Sequence, residues 1–77
     1  MSITVYTKPN CPQCQLTKSA LDKAGLDYAT VDLTTDPDAL DYVRSLGHLQ
    51  APVVVTDTGS WSGFRREQIK ALGNTAA

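Results

Sequence analysis

Ile3-Thr4-Val5-Tyr6-Thr7-Lys8-Pro9-Asn10-Cys11-Pro12-Gln13-Cys14 decides how this 77-residue chain is read. Its first five residues are an apolar run with β-branched and aromatic side chains, expected as a strand buried on both faces. From about Pro12 to Ala24 the period changes: Cys14, Thr17, Ala20, Leu21 and Ala24 fall on one helical stripe. Both cysteines of the chain therefore stand where a strand hands over to a helix. A helix amino terminus lowers thiol pKa through its unpaired N–H groups and dipole. A spacing of three residues brings the second sulfur onto the face of the first. One cysteine can attack while the other resolves, which is the layout of a dithiol redox site.

Downstream, Gly25 is placed to end the first helix in a left-handed conformation. Tyr28 to Leu33 reads as a second strand. Asp36 caps a second helix with Pro37 at its first position, where a missing N–H costs nothing. Leu40, Val43 and Leu46 form its expected inner face, and Gly47 stops it. Val53-Val54-Val55-Thr56 is a β-branched third strand, Asp57-Thr58-Gly59-Ser60 supplies turn residues, and Trp61-Ser62 is a short fourth strand. A last helix runs from about Arg65 to Leu72, with Ile69 and Leu72 inward and Gly73 beyond it. The order is βαβαββα. A right-handed crossover makes the first two strands parallel, and the last two form a hairpin. This α/β order fits a thioredoxin-like core, a four-stranded mixed sheet with three helices, in one domain over residues 1–77.

Composition narrows the function without naming it. Apolar residues make up 42% and charged residues 19%, ordinary for a globular chain, and the formal charge is −1. That balance points to neither nucleic acid nor an anionic membrane. Met1-Ser2-Ile3-Thr4 lacks a basic region followed by a long apolar stretch, so no signal peptide is visible. No apolar run approaches the ~20 residues of a membrane span. The expected location is a reducing cytoplasm, where a close cysteine pair is reactive rather than structural.

The pair has duller readings. Zinc needs about four ligands, and the chain offers two cysteines and one histidine, His48. A copper carrier fits poorly with Pro12 inside the pair and with Met1, the single methionine, far from it. As a structural bridge the pair closes a four-residue loop, worth about 2 kcal/mol against about 3 for a fifteen-residue loop. Redox chemistry stands. Cys11, at the outer end of the helix, is expected exposed and is the attacker; Cys14, one turn inside, resolves. Pro12 fixes the first helical position, and Gln13 brings neither charge nor aromatic bulk.

Other positions carry paired readings. Lys8 either adds positive charge near a thiolate and meets a partner's carboxylate, or is a solvated strand-end lysine. Pro52 is either a cis proline in a functional turn or a trans proline opening a strand. Arg65 and Arg66 occupy a helix start that disfavours cations, so they bind an acidic partner, pair with Asp57 or Asp36, or are simply solvated. Trp61 and Phe64 finish a small core, or Trp61 is an aromatic docking surface. His48 is expected at the surface.

Thr7-Lys8-Pro9-Asn10-Cys11-Pro12-Gln13-Cys14, Gln50-Ala51-Pro52-Val53 and Trp61-Ser62-Gly63-Phe64-Arg65 together resemble the NrdH-redoxins, glutaredoxin-like proteins that behave functionally like thioredoxins. The resemblance spans essentially the whole chain, and the tryptophan-containing segment is its most specific part. It implies a thioredoxin fold with Cys11 as nucleophile, Cys14 as resolving thiol, and a cis Pro52 beside them. It makes Ala51 a docking residue whose backbone pairs with a partner's chain, and it implies an electron donor for a class Ib ribonucleotide reductase. Electrons would come from NADPH through thioredoxin reductase and its flavin, with no cofactor or metal bound to this chain and a monomer as carrier. Lys8, Pro12, Gln13, Ala51, Pro52, Trp61, Gly63, Phe64 and Arg65 are the expected partner-docking positions.

The chain departs from ordinary glutaredoxins at the glutathione site. Gln50-Ala51 stands where threonine-valine is usual, and Gly63-Phe64-Arg65-Arg66 replaces a glycine-glycine-x-aspartate run. Phe64 crowds the close approach, and Arg66 stands where the carboxylate that holds glutathione's amino group belongs. Weak glutathione binding is expected. Many NrdH-redoxins also carry proline where Arg66 stands.

Overall fold

The structure is a computed structural model, and it describes residues 2–76. Strand β1 (Ile3–Thr7) leads to helix α1 (Pro12–Lys23), then β2 (Ala29–Asp32), α2 (Pro37–Ser45), β3 (Val53–Thr56), β4 (Gly59–Ser62) and α3 (Arg66–Ala76). The strands form one sheet in the order β2-β1-β3-β4. β1 pairs parallel with β2, Val5 facing Thr30, and antiparallel with β3, Val5 facing Val54. β3 and β4 are antiparallel, Val54 opposite Trp61. This is the thioredoxin-like fold with its mixed four-stranded sheet and three helices.

Strand alternation sorts the side chains. Ile3, Val5 and Val54 join Leu21 of α1 and Ile69 and Leu72 of α3 in one buried cluster. Ala20, Leu26, Tyr28, Trp61 and Phe64 pack around it. The alternate residues of β1 face α2. There Tyr6 meets Tyr42 with ring centroids 5.9 Å apart. Burial, with Tyr42 and Asp36 nearby, raises the Tyr6 pKa, so its hydroxyl stays neutral. That second face is only half-covered, so β1 buries Ile3 and Val5 on one side and is not buried on both.

Local signals place most boundaries. Asp36 Oδ1 accepts from Ala39 N at 3.0 Å and caps α2, with Pro37 in the first turn. Gly25 and Gly47 follow α1 and α2 with φ of 71° and 90°. Four expectations need correction. Leu46, placed on the inner face of α2, is 39% exposed, because it is the C-cap residue where the helix stops. Ala39 is buried instead. Ala24 closes the α1 stripe in sequence yet is exposed beyond the last helical turn. Gly59 and Ser60, read as turn, belong to β4, because Thr56 and Val55 pair with them across a tighter hairpin. α3 begins at Arg66 and runs through Gly73, so neither Arg65 nor Gly73 marks its bounds as expected. Among the described residues no helix is long and apolar enough to cross a membrane.

Candidate active site

Cys11 and Cys14 form a disulfide at the amino terminus of α1, with Cα atoms 5.2 Å apart. Asn10 turns the chain there with φ 58°, a left-handed conformation that asparagine tolerates better than most residues. Cys11 is then the N-cap of α1. Its Sγ accepts from the backbone N–H of Cys14 at 3.2 Å, and its carbonyl takes the first helical bond, from Gln15 N at 3.2 Å. Pro12 occupies the first turn, where its missing N–H leaves no gap. One turn on, Thr17 is wholly buried and donates its hydroxyl to Gln13 O at 2.9 Å. That bond satisfies the only buried polar side chain along the inner face of α1.

The two sulfurs are unequal in access. Cys11 is 8% exposed and Cys14 1%. The expectation of an open Cys11 is therefore corrected. Gln50 and Ala51, in the segment before β3, share a cleft with the helix terminus, a proximity that strand periodicity does not reveal. Cys11 still has an opening. It lines a cleft of about 200 Å³ with Lys8, Asn10, Pro12, Gln13, Gln50 and Ala51. Lys8 is the one ionised side chain in that lining. A negative sulfur in the cleft faces a cation and a helix terminus, with no carboxylate in the lining to oppose it.

The Ala51–Pro52 peptide bond is cis, and Pro52 is buried behind the cleft. Its carbonyl accepts from Gly63 N at 2.8 Å, joining the proline turn to the segment after β4. Gln13 makes a second link. Its Oε1 accepts from Phe64 N at 3.4 Å across 51 positions of sequence. The residue that looked featureless in sequence bridges the redox helix to the Gly63–Phe64 turn. Only a long amide side chain beside a proline-fixed first turn hinted at that reach.

The structure thus gathers Lys8, Cys11, Pro12, Gln13 and Ala51 around one cleft, with Pro52 behind it. Gly63 and Phe64 join through the Pro52 carbonyl and the Gln13 amide. Trp61 and Arg65 lie outside the cleft lining. Trp61 packs half-buried on the core, and its Nε1 is buried with no hydrogen-bond partner among the described residues. Arg65 is exposed, its Nε donating to Ser62 O at 3.4 Å. Among the described residues neither Arg65 nor Arg66 forms an ion pair with Asp57 or Asp36. Arg66 instead lines a larger groove of about 430 Å³ between α1 and α3, floored by Leu16, Ala20, Phe64 and Ile69. That groove holds neither cysteine and lies apart from the chemistry. His48, expected at the surface, is half-buried and bonds Ser60 Oγ through Nε2 at 2.8 Å, a partner twelve positions away.

With this geometry in place, comparison with known proteins is informative. The family model for glutaredoxin matches residues 3–60. The glutaredoxin-like protein NrdH of Salmonella typhimurium is 45% identical over 97% of this chain and 93% of its own length. The NrdH protein of Escherichia coli K12 is 40% identical over 94% of this chain and 89% of its own. The structure of the glutaredoxin-like NrdH-redoxin of Escherichia coli, described for its thioredoxin-like activity profile, superposes with a TM-score of 0.90, covering 94% of this chain and 95% of that one. A thioredoxin from Malassezia sympodialis, 15% identical with a TM-score of 0.67, shares the fold alone. Cysteine pair, fold and relatives agree: the chain is a disulfide oxidoreductase and belongs to the glutaredoxin-like NrdH-redoxins.

Proposed function

We propose that this protein is a monomeric cytoplasmic electron carrier, reduced by thioredoxin reductase and oxidised by the catalytic subunit of a class Ib ribonucleotide reductase. One observation carries the reading. The capped Cys11 sulfur opens onto a cleft walled by Gln50 and Ala51, while Gly63-Phe64-Arg65-Arg66 stands where glutaredoxins keep a glutathione cradle. Glutathione's amino group finds no carboxylate in that run.

The cycle follows from the two sulfurs. Thioredoxin reductase passes two electrons from NADPH, through its own flavin, into the Cys11–Cys14 disulfide and leaves a dithiol. The Cys11 thiolate, held by the Cys14 N–H, attacks one sulfur of the partner's disulfide. The partner's S–S bond breaks, a mixed disulfide forms, and the partner's second sulfur leaves as a thiolate. Cys14, deprotonated, then attacks Cys11 Sγ, and the reduced partner departs with both electrons. Lys8 favours negative charge in the cleft, and Ala51 offers its backbone to the partner's chain. Gly63, Phe64, Trp61 and Arg65 form the flank against which the reductase docks. Electron carriage needs no cofactor or metal on this chain.

A coupled assay tests the proposal. NADPH oxidation in the presence of thioredoxin reductase and a disulfide-containing ribonucleotide reductase should depend on the protein. Robust turnover with glutathione and glutathione reductase, but none with thioredoxin reductase, would overturn it. Lys8 in the cleft is the observation that favours a glutathione-dependent second reading, because it could hold a glutathione carboxylate.

A further inference from the structure

Leu49 is 85% exposed, far more than any other large apolar residue among those described. A lone exposed leucine is unremarkable on most surfaces. This one is different in where it stands and in how it is held. Gln50 and Ala51, the next two residues, wall the cleft that contains Cys11, and together with Leu49 they also line a small adjoining cavity. Leu49 itself is not in the cleft lining; it adjoins the cleft through these two residues.

The segment that presents Leu49 is pinned at both ends. On one side, Gly47 turns out of α2 with φ 90°, His48 N donates to Val43 O at 3.1 Å, and the His48 ring bonds Ser60 Oγ at 2.8 Å. On the other, the buried Pro52 accepts from Gly63 N through its carbonyl at 2.8 Å. A backbone already pinned on either side loses little further conformational freedom when a partner covers the side chain it carries. It contributes almost nothing to the packed core, so its burial is left to association.

We infer that Leu49 is a specificity-determining residue for the disulfide exchange at Cys11, selecting protein disulfides that carry an apolar side chain beside the reactive cysteine. The inference rests on exchange at Cys11 alone and not on which reductase supplies the electrons. Continuity with the cleft fixes the occupant as the substrate chain itself. Covering about half of a leucine against an apolar neighbour corresponds to a preference of about fivefold to tenfold in rate constant.

Two synthetic disulfide peptides, identical except for leucine or serine next to the cysteine, test it. Each is reduced by the pre-reduced full chain in single-turnover mode, without any reductase, and each rate is divided by the same variant's rate with hydroxyethyl disulfide. The native chain should favour the leucine peptide by about fivefold to tenfold. Leu49→Ser should bring the ratio close to one, and Leu49→Met should keep it. Equal rates in the native chain, or a preference that persists in Leu49→Ser, would overturn the inference. Because no reductase is present, either result leaves the coupled-assay outcome to be judged separately.

Discussion

Replacing Cys14 with serine isolates the electrostatics of Cys11. The substitution removes the resolving thiol but keeps the backbone N–H of residue 14, which lies 3.2 Å from Cys11 Sγ. A hydrogen bond to a charged acceptor is worth about 1.5–3 kcal/mol. The helix terminus adds roughly 0.3–1 kcal/mol, while the low exposure of Cys11 subtracts from both. Taken together these favour the thiolate about tenfold to a hundredfold over a free cysteine. A more stable thiolate is a weaker nucleophile, with a Brønsted slope of about 0.4–0.5. Half the logarithmic gain is therefore returned, and Cys14→Ser should react with iodoacetamide about threefold to tenfold faster than a cysteine peptide near pH 6.5. Alkylation followed by mass spectrometry gives the rate, and Cys11→Ser, which keeps only the buried Cys14, serves as the slow control. Offered a protein disulfide, Cys14→Ser should accumulate the mixed adduct and stall. A Cys14→Ser rate no greater than that of the peptide, or a faster Cys11→Ser, would refute the assignment of roles.

Leu21→Ala empties the centre of the cluster that seats α1 on the sheet. At about 3 kcal/mol it should lower Tm by roughly 12–24 °C in circular dichroism melts, and a fall below about 5 °C would mean that α1 is not held there. Gln13→Ala breaks the link to Phe64 N. A loss of about 0.5–1.5 kcal/mol should speed hydrogen exchange at the Phe64 amide about twofold to twelvefold. Gln13→Glu should restore the native rate, and an unchanged rate in the alanine variant would dissolve the bridge. Asp32 accepts from the Thr34 hydroxyl at 2.6 Å and its N–H at 2.8 Å, which holds its carboxyl below the usual value. Because the folded pKa is lowered, its contribution to stability is present above the ordinary carboxylate value and fades as pH falls through the folded one. Thr34→Ala, which removes the hydroxyl and keeps the N–H, should move the Asp32 titration part of the way up by carboxyl-resolved NMR. An ordinary titration in the native chain would count against the turn.

What could be read from the sequence was what neighbours in the chain decide. Asp36 and Pro37 announce the start of α2, Gly25 and Gly47 the ends of two helices, and the cysteine spacing places both sulfurs on one face. Misreadings fell where distant segments decide. Gly59 and Ser60 carry turn-like side chains, yet the backbone of β3 recruits them. Cys11 shares its cleft with residues some forty positions away, and His48 bonds Ser60. Gln13 accepts from the Phe64 amide, and its length and amide group were the only local hint of that reach. Leu46 kept the helical period but sits where the helix ends, so periodicity alone placed it wrongly.

In the proposed cycle, the group that caps α1 is also the atom that changes charge. A thiolate binds the Cys14 amide more strongly than a disulfide sulfur does. The opening turn of the helix should therefore tighten on reduction and slacken on oxidation, in step with each pair of electrons carried. The Cys14 amide would then be a built-in gauge of loading, readable from its resonance without any label.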